Sequence, residues 1–136
     1  MNGKRLALSC IVVFIFIFLS DWLIHGKLLM GIYQETSTLW RPQDEMRAMM
    51  PWMTAAQLLL SVVFCLIFVK GYENRGIAEG IRYGILMGLL FIPQNLITYA
   101  VQPLPGKLIG AWIAAGFIQA IIAGILVAAL YKPKQA

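Results

Sequence analysis

Asp21 and His25 stand four residues apart in the stretch LSDWLIHGKLLMGIY, directly after an uncharged block that runs from Leu6 to Leu19. Four residues make one helical turn, so the two side chains share a face. A carboxylate beside an imidazole can hold a proton or bind a ligand. Ionisable groups at membrane depth are costly and tend to pair or to line a wet cavity. The pair therefore points to a proton-responsive or ligand-binding pocket. The alternative is an interfacial helix end at which Asp21, Trp22 and His25 meet lipid headgroups.

Other chemistries find no support. His25 is the one histidine, which excludes a bis-histidine haem. Cys10 and Cys65 lie inside apolar blocks with no CxxC spacing and no zinc pattern, as expected of buried free thiols. Met46, Met49, Met50 and Met53 recur at helical spacing. Thioether sulfur suits Cu(I), but without a nearby Cys or His a hydrophobic face is the simpler reading. No GxSxG, Walker loop, HExxH or GxGxxG occurs, and no nucleophile stands beside Asp21 and His25. No catalytic residue, cofactor or metal site is expected.

The elements that must hold these residues are set by composition. The chain has 136 residues, 60% of them hydrophobic and only 12% charged, with mean hydropathy +0.78. A soluble domain carries roughly a quarter charged residues, so this surface must face a lipid bilayer. The net charge of +5 is scattered between apolar blocks, with no basic stripe and no interleaved aromatics, which excludes nucleic acid. One all-α domain over 1–136 is expected, with spans at about 6–24, 52–69, 77–99 and 108–130. The first span resembles a signal peptide, but Leu19-Ser20-Asp21-Trp22 is a poor cleavage site and an uncleaved span is expected.

Short connections predict an up-down-up-down four-helix bundle. Lys4, Arg5, Lys70, Arg75, Lys132 and Lys134 flank one side, against Lys27, Arg41, Arg47 and Lys107 on the other. The positive-inside rule then places both termini in the cytoplasm. In the longest connection, Pro42 followed by Asp44 and Glu45 predicts a short interfacial helix, broken or kinked at Pro51. Trp22, Trp40, Trp52 and Trp112 suit an interfacial belt.

With these directions, Asp21 lies about 22 Å past Leu6, at a rise of 1.5 Å per residue. His25, Gln57, Gln94, Asn95 and Tyr99 fall in the same non-cytoplasmic half, and Pro93 frees a carbonyl there. Gln119 comes near the middle of the fourth span, outside this expected layer. Glu79 and Arg82, three residues apart, are expected to pair with each other or to snorkel. In lipid, helices associate through small residues. Gly76, Gly80, Gly84 and Gly88 recur every four residues, as do Gly116, Ala120, Gly124 and Ala128. These faces would pack the third helix on the fourth, or alternatively form a homodimer.

The segments DWLIHGKLLMGIYQETSTLWRP, GYENRGIAEGIRYGILMGL, TYAVQPLP and AGILVAALYKP together span most of the chain. They resemble a family of short four-span bacterial inner-membrane proteins of uncharacterised function. The resemblance implies a bacterial inner membrane and a four-helix bundle, and it transfers no activity. It groups Asp21, His25, Tyr33, Trp40 and Arg41 in one signature stretch. The expected function is non-enzymatic: a polar pocket in the non-cytoplasmic half that binds or passes a small ligand or proton. An accessory subunit of a larger membrane complex is the alternative, and a lipid- or quinone-acting enzyme the remote one.

Overall fold

The computed structural model describes residues 1–133; Lys134, counted above in the basic C-terminal flank, lies outside them. The first helix, α1 (Gly3–Leu23), opens on Asn2, whose side chain accepts the Arg5 N–H at 3.3 Å. It runs directly into a π-turn, Ile24–Leu28, closed by the Leu29 N–H on the Ile24 carbonyl at 2.8 Å. Leu29 then leaves helical geometry (φ −98°, ψ 2°), and a short α2 (Met30–Glu35) and a single 3₁₀ turn (Ser37–Leu39) follow.

Three long helices complete the chain: α3 (Gln43–Lys70), α4 (Ile77–Val101) and α5 (Gly106–Leu130). With α1 and its π-turn, the described residues hold four helices long and apolar enough to cross a membrane, the build of a multi-pass membrane protein. No strand occurs among the described residues.

The separate helix expected before the second span is instead the start of α3. Pro42 precedes its first residue with φ −53°, and Asp44 and Glu45 occupy the first turn, where carboxylates favour the helix dipole. Pro51 does not end it. Eight residues of helix precede Pro51, and the surrounding turns are exposed, so the carbonyl it leaves without an N–H partner can be solvated.

The closest approach is between α4 and α5. A Cβ added at Gly84 would lie 2.5 Å from both the Ala120 carbonyl oxygen and the Ile121 Cα. One at Gly80 would lie 2.6 Å from the Ala128 Cβ, and one at Gly88 would lie 2.7 Å from the Phe117 ring. From the other side, a Cβ at Gly124 would strike the Gly80 carbonyl. The two backbones touch, and this seam lies within one chain.

Two of the six glycines expected on these faces stand apart from it. Gly76 ends the loop before α4 at φ 64°, ψ −145°, and an added Cβ there would meet nothing. It serves the turn, whose left-handed backbone favours glycine. Gly116 does not face α4, although the next residue, Phe117, packs on Gly88; nothing comes within 4 Å of a Cβ added at Gly116.

The remaining helix, α1, packs against α3 and α5. The buried core joins Val13 and Ile17 of α1 to Phe64, Cys65 and Phe68 of α3 and to Ala123 and Val127 of α5. At the end near both termini, Tyr83 packs edge-on against Phe64 and Phe68, and its hydroxyl donates to the Phe64 carbonyl at 2.6 Å.

Glu79 is buried beside this cluster, only 5% exposed. Its carboxylate accepts the Glu73 N–H at 2.7 Å and the Arg75 N–H at 2.8 Å. It therefore caps the loop into α4 rather than pairing with Arg82, which reaches Glu73 instead at 2.6 Å. Two backbone donors at the helix N-terminus outcompete one exposed guanidinium.

Candidate functional site

Asp21 sits on the last turn of α1, facing α3 and α5. The Gln57 Nε2 of α3 donates to Asp21 Oδ2 at 2.6 Å, and the Gln119 Nε2 of α5 donates to Oδ1 at 2.7 Å. The second proton of that Gln119 amide goes to Ser20 Oγ at 2.8 Å, and Ser20 in turn donates to the Phe16 carbonyl at 2.7 Å. One carboxylate thus bridges three helices through two amides. Both carboxylate oxygens accept.

A cavity of about 150 Å³ opens beside this cluster. Its walls come from all four long helices, among them Ile17 and Asp21 of α1, Phe64 of α3, Phe91 of α4, and Gly116 and Gln119 of α5. The missing side chain at Gly116 contributes space to the cavity rather than contact to the seam.

His25 does not bind Asp21. It lies in the π-turn, whose wider coil carries the ring off the line that an α-helix would give at four residues. Its Nδ1 stands 2.6 Å from the Tyr33 hydroxyl, which also receives the Trp112 indole N–H at 2.8 Å. In a straight helix Tyr33 would lie about 12 Å further along the axis. The break at Leu29 brings α2 back and makes the contact. Trp40 closes the group, edge-on to both Tyr33 and Trp112, with its indole N–H on Thr36 Oγ1 at 2.9 Å. Burial pushes the Tyr33 phenol above its ordinary value; the Trp112 bond opposes this and the charge of Asp21 adds to it.

The expected layer divides. Asp21 and Gln57 meet; Gln94, Asn95 and Tyr99 join neither them nor His25 by any hydrogen bond among the described residues. Gln94 and Tyr99 are exposed, and Asn95 donates to its own helix at the Phe91 carbonyl, 3.1 Å away. Asn95 and Tyr99 continue the glycine face of α4 at helical spacing, so they look toward the start of α5; an added Cβ at Gly106 would lie 3.7 Å from the Tyr99 hydroxyl.

The layer expected from depth also omitted Gln119, Ser20 and Trp112. Gln119 is the polar residue of an otherwise apolar α5 between Lys107 and the helix end, which is the signal that could have found it. No group of three or more His, Cys, Asp or Glu side chains able to hold a metal occurs among the described residues. No protein-family model, curated protein or solved structure matches the chain.

Proposed function

We propose that this chain is a non-enzymatic protein of the bacterial inner membrane that binds or passes a small ligand through a polar pocket in its non-cytoplasmic half. In this reading the four long helices alternate up and down as one bundle domain, with both termini in the cytoplasm. The flanking Lys and Arg residues support that orientation. The first turns of α3, with Trp52 and the exposed Met46, Met49, Met50 and Met53, lie at the outer interface. A 28-residue helix is about 42 Å long against about 30 Å of hydrocarbon, so part of α3 must project.

The observation that carries the reading is Asp21, held by Gln57 and Gln119 at the rim of a cavity. An ionisable group at this depth has a cost that a purely structural helix contact avoids. The test is access of water to the cavity. A Gly116→Cys variant should react with a membrane-impermeant thiol reagent added from the periplasmic side, whereas Ile118→Cys, at an exposed position on the same helix, should stay inert in lipid. An unreactive Gly116→Cys in folded protein would refute the pocket.

A second reading, an accessory subunit of a larger membrane complex, is favoured by the same exposed methionine face on α3. Met side chains adapt to varied apolar partners. A stoichiometric partner retained from native membrane would favour it over the pocket.

A further inference from the structure

We infer that the occupant of the pocket is a small lipophilic organic cation, an ammonium carried on a single ring or a body of similar size. The inference rests on the pocket proposed above and assigns its ligand class.

Three observations carry it. The first is charge. Both oxygens of Asp21 accept from neutral amides. The ion pairs among the described residues join Arg41 to Glu45, Arg75 and Arg82 to Glu73, and Lys107 to Glu35, and none involves Asp21. Amide dipoles orient a carboxylate without cancelling its charge, so a cation entering the cavity gains an attraction that a neutral molecule does not.

The second is the apolar part of the cavity wall. Ile17, Phe64 and Phe91 are apolar, and two of them are aromatic rings whose faces attract cations. A bare metal ion needs about six oxygen ligands, and this wall offers none. The third is room. A dry cavity of about 150 Å³ takes a benzene-sized body, and this one is of that volume.

The amides complete the match. Among the described residues no donor is bound to the Oε1 of Gln57 or Gln119, and neither oxygen is sealed away from solvent. An ammonium has several N–H donors. One would go to Asp21 and another to the side-chain carbonyl of Gln119, which lines the cavity with it, while the ring lies against the apolar lining.

Benzylammonium is the probe, and benzyl alcohol its neutral counterpart of the same shape. Calorimetric titration of the full chain in nanodiscs, against empty nanodiscs, should show saturable binding of benzylammonium. Benzyl alcohol should bind at least tenfold more weakly. Asp21→Asn should weaken benzylammonium at least tenfold, and Gly116→Leu, which fills the cavity without a clash at its Cβ, should abolish binding.

Benzyl alcohol binding as tightly as benzylammonium, with Gly116→Leu still abolishing both, would overturn the cation assignment and leave the pocket standing. Binding of neither molecule would overturn the assignment and count against the pocket as well. Should Asp21→Asn fail to fold, the comparison of the two probes on the wild-type chain decides alone.

Discussion

Between α4 and α5 the chain brings backbone against backbone, with Gly80, Gly84 and Gly124 leaving no room for a side chain. Between α1 and its neighbours α3 and α5 it does the reverse, spacing the helices far enough for two glutamines to reach one carboxylate and for a cavity to remain. Apolar side chains gain little by leaving lipid, so helix contacts there need close van der Waals packing or polar bonds. The glycine seam uses the first and the Asp21 seam the second. The first is dry and admits no occupant. The second holds its helices through groups that can also bind something else. Both seams hold helices together, and the second alone leaves space beside its polar groups.

The sharpest way to break this contrast is to put a side chain into the dry seam. Gly84→Leu has no relaxation available, because its Cβ alone would press on the Ala120 carbonyl and the Ile121 Cα. Overpacking typically costs 1–3 kcal/mol where side chains can shift, and here backbone must move, so a loss of about 3 kcal/mol or more is expected. Denaturation in mixed detergent micelles measures it. Stability equal to wild type would show that α4 and α5 are not held as described.

At the polar seam the effect is smaller and depends on the substitute. Asp21→Leu removes the acceptor for both glutamine amides and should cost about 2–3 kcal/mol, the penalty of leaving donors unmade away from water. Asp21→Asn keeps one acceptor oxygen and should cost about 1 kcal/mol. The ordering Leu above Asn, in the same micelle assay, sharpens the claim that Asp21 is held by hydrogen bonds; equal costs would assign its role to packing.

Further out, Tyr33→Phe deletes the hydroxyl that His25 and Trp112 share, with an expected cost of about 1 kcal/mol. It also removes a pH dependence. The Tyr33 phenol titrates above its ordinary 10.0 in the folded chain, mainly through burial. The unfolded chain therefore releases that proton first. Stability from this group is complete below about pH 10 and declines as pH rises through and beyond that value. Denaturation between neutral pH and pH 11 should show this decline in wild type and a shallower one in Tyr33→Phe.

How much of this the sequence carried depends on distance along the chain. The four apolar helices follow from block length and hydropathy, which are local properties. The proline and acids that start α3 were legible for the same reason, although the helix they begin is continuous with the second span. The partnership of Asp21 was not legible, because Gln119 lies 98 residues away and depth alone cannot say which face of α5 meets α1. The expected Asp21–His25 pair failed on a local detail, the π-turn over Ile24–Leu28, which no residue in that stretch announces. Gln94 and Tyr99 were placed at a plausible depth, yet depth does not fix direction around the helix axis.

Gly116 and Gly84 show the same limit in one residue type. Both belong to rows of small residues spaced by four, and the rows read alike. What each one faces separates them: Gly84 faces the backbone of α5, while Gly116 opens on the cavity beside Asp21. The substitution to alanine should therefore change sign between them. At Gly84 a methyl group meets the backbone of α5 and destabilises. At Gly116 it meets nothing, and the helix gains the advantage of Ala over Gly, up to about 1 kcal/mol in a helix interior. A small gain for Gly116→Ala beside a clear loss for Gly84→Ala, measured in the same micelles, would establish the two seams as physically different. A loss at both positions would mean that α5 presses on a neighbour along its whole length and that the cavity closes in the membrane.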